Sequence, residues 1–392
     1  MKLKVLPGDF VVEEVLATAI GREPAAFRVY RLRKRSWDTF DLLDVLARRL
    51  HVRRGDISLG GIKDRHGDTT QHVAVPDRAD LPDAVTDGNY ELAAAGFSRR
   101  PLSARDVRGN RFRITLRDVP PGEAAAVRDA AATAGRDGFP NYFDDQRFGS
   151  ARHGRGFMGK AIFLGERERA LRLFFEPSRW DPPRERALKT AVLDHWGRWR
   201  QMPDQPFGPY RKVLQVLTTE SFERSYTRAL AAIDKDLLQM ALNAYQSFLF
   251  NEILSRWLIR RHTEADGPLR RRRYLVGEMI FPERLSMELR AELGTLKLPV
   301  PASDSVIADP AIRAMVEDVL AEEGIRLDHL RVRKIPGLSV QATERSAWVL
   351  PEGLAAAPAE PDDLNPGRCS IGLEFFLPRG AYATVLIKRL GG

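Results

Sequence analysis

Four short blocks of the chain concentrate residue types that can do chemistry. The first is Gly60-Gly61-Ile62-Lys63-Asp64-Arg65-His66-Gly67-Asp68-Thr69-Thr70-Gln71. It sets a carboxylate, Asp64, between the cations Lys63 and Arg65. Neighbouring positive charge favours an ionised carboxylate and lowers its pKa, provided the side chains converge. Adjacent residues on an extended segment point to opposite faces, so spacing alone leaves convergence open. An ionised, sheltered carboxylate attacks an electrophilic carbon or abstracts a proton. The paired glycines allow a sharp turn or a close approach to a ligand. The competing reading is a charged hairpin turn.

The second block, Pro140-Asn141-Tyr142-Phe143-Asp144-Asp145-Gln146-Arg147-Phe148-Gly149, joins aromatics to the amides of Asn141 and Gln146 and to the guanidinium of Arg147. An aromatic face stacks on a base, and an amide reads a base edge. A polar loop with buried aromatics has the same composition. A third block, Phe375 to Thr384, sets Tyr382 beside a helix start, where a phosphate or sugar docks, or else within the core. The fourth, Asp9-Phe10-Val11-Val12-Glu13-Glu14, reads as an amphipathic strand whose Phe10 and Glu14 either face a cleft or pack inward.

Elements must hold these residues. Phe27 to Arg33 alternates as a strand, and Asp38 caps a helix running through Leu50, with Phe40, Leu43, Leu46 and Leu50 as its apolar positions. Ile57 to Gly61 and Gln71 to Val75 read as strands on either side of the charged block, which puts Asp64 on their connection. Arg111 to Arg117 predicts another strand and Ala124 to Ala134 a helix. After Gly149 the periodicity turns helical, most clearly over Leu237 to Arg260, with Leu238, Leu242, Tyr245, Leu249, Ile253 and Trp257 on one face. Breaks fall at Asp181-Pro182-Pro183 and from Pro203 to Pro209. The run Arg270 to Arg273 reads as a phosphate contact or as an exposed charge run at a helix end. Ala355 to Pro366 reads as a linker or long loop, followed by a strand from Ser370 to Leu377 and a helix from Ala381 to Leu390. Strand-rich ends around a helix-rich middle predict one domain inserted into another.

Composition narrows the partners. The 392 residues suit two domains, and a hydrophobic content of 43% fits packed cores. Lys plus Arg number 62 against 53 Asp plus Glu, a net charge of +9 that suits a polyanion such as nucleic acid, or an arginine-favouring genome. The single cysteine, Cys369, excludes an internal disulfide and a thiolate cluster. The seven histidines show no H-E-x-x-H spacing, and His66 with His72 makes a weak zinc pair, so no metal is expected. No glycine-rich strand-turn-helix site for a methyl-donor cofactor is present either. The polar start, Met1-Lys2-Leu3-Lys4, is unlike a signal peptide, and no apolar run reaches the roughly 18 residues that span a bilayer. A soluble, cytoplasmic monomer without membrane contact is expected.

Taken in order and spacing, the blocks resemble the TruD family of tRNA pseudouridine synthases. The hallmark G-x-K-D-(R/K)-x-A-x-T-x-Q is matched from Gly61 to Gln71, N-Y-F-G-x-Q-R-F-G from Asn141 to Gly149, and D-F-x-V-x-E from Asp9 to Glu14. Lys34 with Thr39, Gly109 to Phe112, Arg152-His153-Gly154 and Phe376 to Thr384 are weaker matches. The resemblance implies an α+β chain. A pseudouridine synthase catalytic domain, a mixed and mostly antiparallel sheet with flanking helices, would occupy residues 1–165 and 345–392. A helix-rich TruD-type insertion domain would fill 166–344. It also implies cofactor-free isomerisation of uridine to pseudouridine in RNA by base flipping, usually at uridine 13 in the D arm of tRNA, with tRNA as partner. By the same resemblance Asp64 is the catalytic nucleophile, Phe10, Asn141, Phe143 and Tyr382 contact substrate, and Glu14, Lys63, Arg65, Gln71 and Arg147 support the site. A catalytically silent RNA-binding or RNA-chaperone protein of this fold is the alternative, and retention of the Lys-Asp-Arg block argues against it. Gly67, Asp68, Asp144 and the pair Lys388-Arg389 depart from the family pattern.

Overall fold

Alternating apolar and polar residues build one large sheet. The computed structural model describes every residue except 202–206, 220–221, 334 and 392, so most of the Pro203–Pro209 break lies outside the described residues. Two compact units emerge, Met1–Phe139 with Val349–Gly392, and Pro140–Trp348.

In the first unit β1 (Phe10–Leu16), β2 (Phe27–Arg35), β3 (Ser58–Leu59), β4 (Asp68–Pro76), β5 (Ala84–Asp87), β6 (Tyr90–Ser98) and β7 (Val107–Val119) join the strands Glu352–Ala356, Glu360–Pro361 and Cys369–Pro378. The main path runs Glu352–Ala356, Cys369–Pro378, β7, β1, β4, β2, β6, β5. Along it β1 and β4 are parallel, and the other neighbours are antiparallel. With the helices of both units, this is the expected α+β class.

Asp38 starts α1 (Thr39–Arg49) by accepting from the backbone N–H groups of Phe40 and Asp41 at 2.8 and 3.4 Å. The buried stripe is Leu42, Leu43, Leu46 and Leu50, packed on Tyr30, Leu32, Val73, Val75 and Leu92. Phe40, expected on that stripe, is 53% exposed. A helix this short offers a single inward arc, and Leu42 takes the place beside Leu46. The other flanking helix, α2 (Ala124–Asp137), packs against Glu352–Ala356. The Ala355–Pro366 stretch is therefore not a free loop. Ala355 and Ala356 end one sheet strand and Glu360–Pro361 form another, and the backbone pairing that Cys369–Pro378 offers is invisible in an Ala- and Pro-rich composition.

A buried guanidinium ties three distant segments of this unit together. Arg117 donates to Asp9 at 2.8 and 2.9 Å and to Asp362 at 2.9 Å, and also bonds Asp363. Asp9 in turn accepts from the Leu6 backbone N–H at 2.8 Å, and Asp362 from that of Asp118 at 2.7 Å. The aspartate that opens the Asp9–Glu14 block is thus an anchor for the start of β1.

The second unit is organised by the helix Lys235–Arg261, which buries all six expected apolar positions. Helices Met158–Leu164 and Pro310–Glu322 and the strand Gly277–Pro282 pack on it. The expected domain limits at 166 and 344 fall inside this unit. Tyr142 already belongs to it, its hydroxyl 2.9 Å from Ser255 Oγ and 3.1 Å from the Ile280 nitrogen. The Arg270–Arg273 run is not at a helix end. It lies on the strand Leu269–Tyr274, paired with Gly277–Pro282, where Arg270 pairs with Glu283 and Arg271 with Glu278 across the ribbon. No helix among the described residues is long and apolar enough to cross a membrane.

Removing the Arg117 guanidinium strands two buried carboxylates, which costs more than the lost bonds alone. Arg117→Met lowers unfolding stability by about 3 kcal/mol or more, read as a lower denaturant midpoint with unchanged m-value.

Candidate active site

The pairing of β3 with β4, Ser58 opposite Ala74 and Leu59 opposite Val73, places the Asp64 segment on the connection that the sequence predicts. Its entry needs a glycine, because a Cβ on Gly60 would lie 2.2 Å from Val107 Cγ2. Three side chains then fix Lys63. Glu14 accepts from Lys63 Nζ at 2.7 Å and from the His72 backbone N–H at 2.9 Å, and it lies 3.3 Å from His72 Nδ1. Thr39 Oγ1 donates to the Lys63 carbonyl at 3.0 Å and accepts from its N–H at 3.4 Å. Lys34, fully buried, donates through Nζ to the carbonyls of Trp37, Lys63 and Asp64 at 2.8, 3.3 and 2.7 Å.

With Lys63 drawn inward to Glu14, the Asp64 side chain takes the other direction and stays half-buried. Lys63 therefore does not converge on it. Arg65 is exposed. Lys4 stands beside Asp64, its Nζ 2.6 Å from Oδ2 and 4.1 Å from the centroid of the Phe10 ring. Lys4 holds a φ of +59°, in the left-handed region that non-glycine residues seldom adopt.

Burial works to raise the Glu14 pKa, but the bonds from His72 and the Lys63 ammonium outweigh it and hold the carboxyl below its ordinary value. Burial dominates at Lys34 and brings its pKa down from 10.5 to about 8, against the upward pull of Asp64 and Asp38.

Where the loop enters β4, a Cβ on Gly67 would stand 2.7 Å from the Phe10 carbonyl oxygen, so the alanine of the family pattern does not fit without a shift. Asp68 accepts from Arg33 at 2.8 and 2.6 Å and from Arg35 at 2.9 Å. Further along, Gln71 is fully buried, and neither amide atom has a hydrogen-bond partner among the described residues. The parallel register that sets Glu13 beside Thr70 puts Gln71 next to Glu14.

The second block forms a separate cluster within the second unit. Asn141 is buried. Its Oδ1 accepts from Arg345 at 2.6 Å, and its Nδ2 donates to the Ser346 carbonyl at 2.9 Å. Phe143 lies under the Arg345 guanidinium at 4.2 Å, near Arg147 at 5.5 Å, and edge-on to Phe250. Asn251 clamps its backbone, accepting from the Phe143 N–H at 2.9 Å and donating to its carbonyl at 2.8 Å. Arg147 donates to Ser247 Oγ at 3.0 Å. Gln146 is exposed, and Asp144 is buried. In the first unit, Tyr382 is half-buried at the N-cap of the terminal helix Ala383–Arg389.

The structure thus gathers Asp64, Phe10, Glu14 and Lys63 in one network, and Asn141, Phe143 and Arg147 in another. Sequence reasoning misses Lys4, His72, Arg345 and Asn251. Lys4 carries a faint signal, an early lysine before a D-F-x-V-x-E block. Arg345 and Asn251 stand over 100 residues from their partners and carry none.

A mostly antiparallel mixed sheet that presents an aspartate on a lysine-clamped loop is the frame in which the comparisons fall. A family model described as tRNA pseudouridine synthase D (TruD) matches residues 1–390, and the chain belongs to that family. A tRNA pseudouridine synthase D of Leptospira interrogans is 27% identical, covering 99% of this chain and 95% of the relative. A Methanosarcina mazei relative named "Probable tRNA pseudouridine synthase D" is 30% identical over 97% of this chain and 90% of its own. The crystal structure of a Methanosarcina mazei TruD-family protein superposes with a TM-score of 0.70 at 28% identity, covering 99% of this chain and 92% of that one.

Protonated Lys34 brings three N–H donors to three carbonyls, and the neutral amine brings two. Activity therefore falls as pH rises through about 8. Stability moves the other way. A lysine whose folded pKa lies below its unfolded value binds fewer protons folded than unfolded between about 8 and 10.5, so its contribution to stability rises across that window. Rate and melting profiles of wild type and Lys34→Met check this. The variant is slower throughout and lacks both the alkaline limb and the Lys34 part of the stability gain, which a limb due to uracil ionisation would not lack.

Proposed function

We propose that this chain isomerises uridine 13 in the D arm of cytoplasmic tRNA to pseudouridine, with Asp64 as the reacting carboxylate. The observation that carries the reading is the setting of Asp64. Its backbone is held by Lys34 and, through Lys63, by Thr39, while its carboxylate is paired with Lys4 over Phe10. On this reading the first unit is the pseudouridine synthase domain and the second the TruD insertion.

The reaction breaks the N1–C1′ bond, turns the uracil and forms a C5–C1′ bond. The C5 proton leaves to solvent and N1 gains one, so no electrons or groups pass to a cofactor. Asp64 serves it either by attacking C1′ or by removing the hydrogen at C2′ on the way to a glycal. Lys4 balances the carboxylate charge before attack. The target base leaves its stack at a cost of a few kcal/mol, and stacking on an aromatic returns roughly 1–3 kcal/mol per base. Phe10 beside Asp64 suits that role. In the second unit the Phe143–Arg345 stack suits a nucleobase, and Asn141 keeps one amide N–H and one lone pair beyond its bonds to Ser346 and Arg345. Tyr382 would contact substrate, Gln71 support the site with its unspent amide, and Arg65 meet a phosphate.

Incubation with tRNA carrying tritium at uridine C5 tests this. Wild type releases tritium, a transcript with cytidine at position 13 does not, and Asp64→Asn slows release by at least about 1,000-fold, the range lost when a reacting group is removed. Binding without release by wild type would establish the catalytically silent alternative, and release undiminished in Asp64→Asn would remove the nucleophile.

A further inference from the structure

The net charge of the chain is not spread evenly. Residues 151–200 carry twelve Lys and Arg against six Asp and Glu, a surplus of six within a total of +9. Four acids of this stretch are paired locally. Asp181 accepts from the Ser178 backbone N–H and from Lys189, both at 2.8 Å, and Glu185 lies 3.1 Å from the same lysine. Glu166 and Glu168 pair with Arg169 and Arg172 along their own helix, Arg167–Phe174. Arg152, Arg179 and Arg184 are exposed and have no acidic partner among the described residues.

These arginines surround a turn built to hold its shape. Ser178 and Asp181 close it with a backbone bond of 3.0 Å, and Ser178 Oγ reaches the Arg152 carbonyl at 3.5 Å. Arg186 spans it from below, donating to the carbonyls of Ser178, Arg179 and Asp181 at 3.2, 2.7 and 3.0 Å. Pro182 and Pro183 stiffen its exit. The turn displays Trp180, 60% exposed, with the Arg179 guanidinium 4.7 Å from its ring. A braced, exposed indole among guanidiniums without acidic partners matches the chemistry of an unpaired nucleotide.

We propose that the turn at residues 178–181 is a contact for single-stranded RNA, in which Trp180 stacks on an unpaired base while Arg152, Arg179 and Arg184 hold neighbouring phosphates. That the RNA is a looped segment of tRNA rests on the function proposed above. Fixing the turn beforehand lowers the ordering cost of binding, and the stack tolerates any base, so the contact adds affinity without reading sequence.

Unmodified tRNA transcript is titrated onto the full chain over a series of sodium chloride concentrations. Replacing Arg152, Arg179 and Arg184 together by Gln removes about 2 units from the slope of log affinity against log salt, near 0.7 for each phosphate contact. The same three changed to Lys keep the slope. Trp180→Ala keeps the slope and weakens binding about tenfold or more, with a matching rise in KM. Slope and affinity equal to wild type in both the Gln and the Ala variants, with tritium release intact, overturn this contact and leave the proposed function standing. A wild type that neither binds nor modifies tRNA overturns both.

Discussion

Glu14 is a carboxylate without solvent contact on the strand beside the reactive loop, and the arrangement of that loop answers the need to neutralise it. An unpaired buried charge is worth many kcal/mol of destabilisation, and a paired one persists only when its remaining acceptor sites are filled. Lys63 supplies the charge, and His72 supplies a backbone N–H. Because Lys63 must point inward, the next residue on an extended segment points away, and that residue is Asp64. The direction of the reacting carboxylate is thus set by its neighbour's electrostatics. Lys34 and Thr39 then remove the freedom that remains, since they bond the main chain on both sides of the Lys63–Asp64 peptide.

Much of this frame is legible in the residues themselves. Alternation marks β2, β4 and β7, Asp38 announces α1, and the spacing from Leu238 to Trp257 marks the long helix of the second unit. These signals are local, because periodicity and capping act within a turn or two of chain. The partners of the reactive groups are not local. Lys4 meets Asp64 across 60 positions and Arg345 meets Asn141 across 204. For the same reason Arg270 to Arg273 misleads. A run of one charge has no period, and the strand it occupies is held by backbone pairing with Gly277–Pro282, with Glu278 and Glu283 meeting two of its arginines. Phe40 misleads more subtly, since a helix that buries Leu42, Leu43 and Leu46 has no arc left for it.

The departures from the family pattern at residues 67 and 68 have a common physical setting. Gly67 brings the main chain against the Phe10 carbonyl, and Phe10 carries the ammonium that pairs with Asp64. The missing Cβ therefore acts on the site through the seat of Phe10 and Lys4. Asp68, one residue on, draws Arg33 and Arg35 to itself. With Arg31 held by Glu13 and Arg28 by Asp77, the four arginines of β2 are all engaged by acids.

That pairing changes what a positive total means. Composition assigns +9 to the chain without regard to place, and on that ground an arginine-favouring genome explains it as well as a polyanionic partner does. Pairing shows where part of that charge is already neutralised. The arginines of β2 and, on the Leu269–Tyr274 strand, Arg270 and Arg271 show how such a load is absorbed by nearby carboxylates. Around Trp180 the carboxylates are instead spent on Lys189 and on the turn itself, and the guanidiniums are left outward. Leaving like charges together on a surface raises repulsion that nearby acids would relieve at no structural cost. Exposed arginines without an acidic partner among the described residues stand elsewhere too, at Arg48, Arg99, Arg111 and Arg113, and what distinguishes this place is the braced, exposed Trp180 among them.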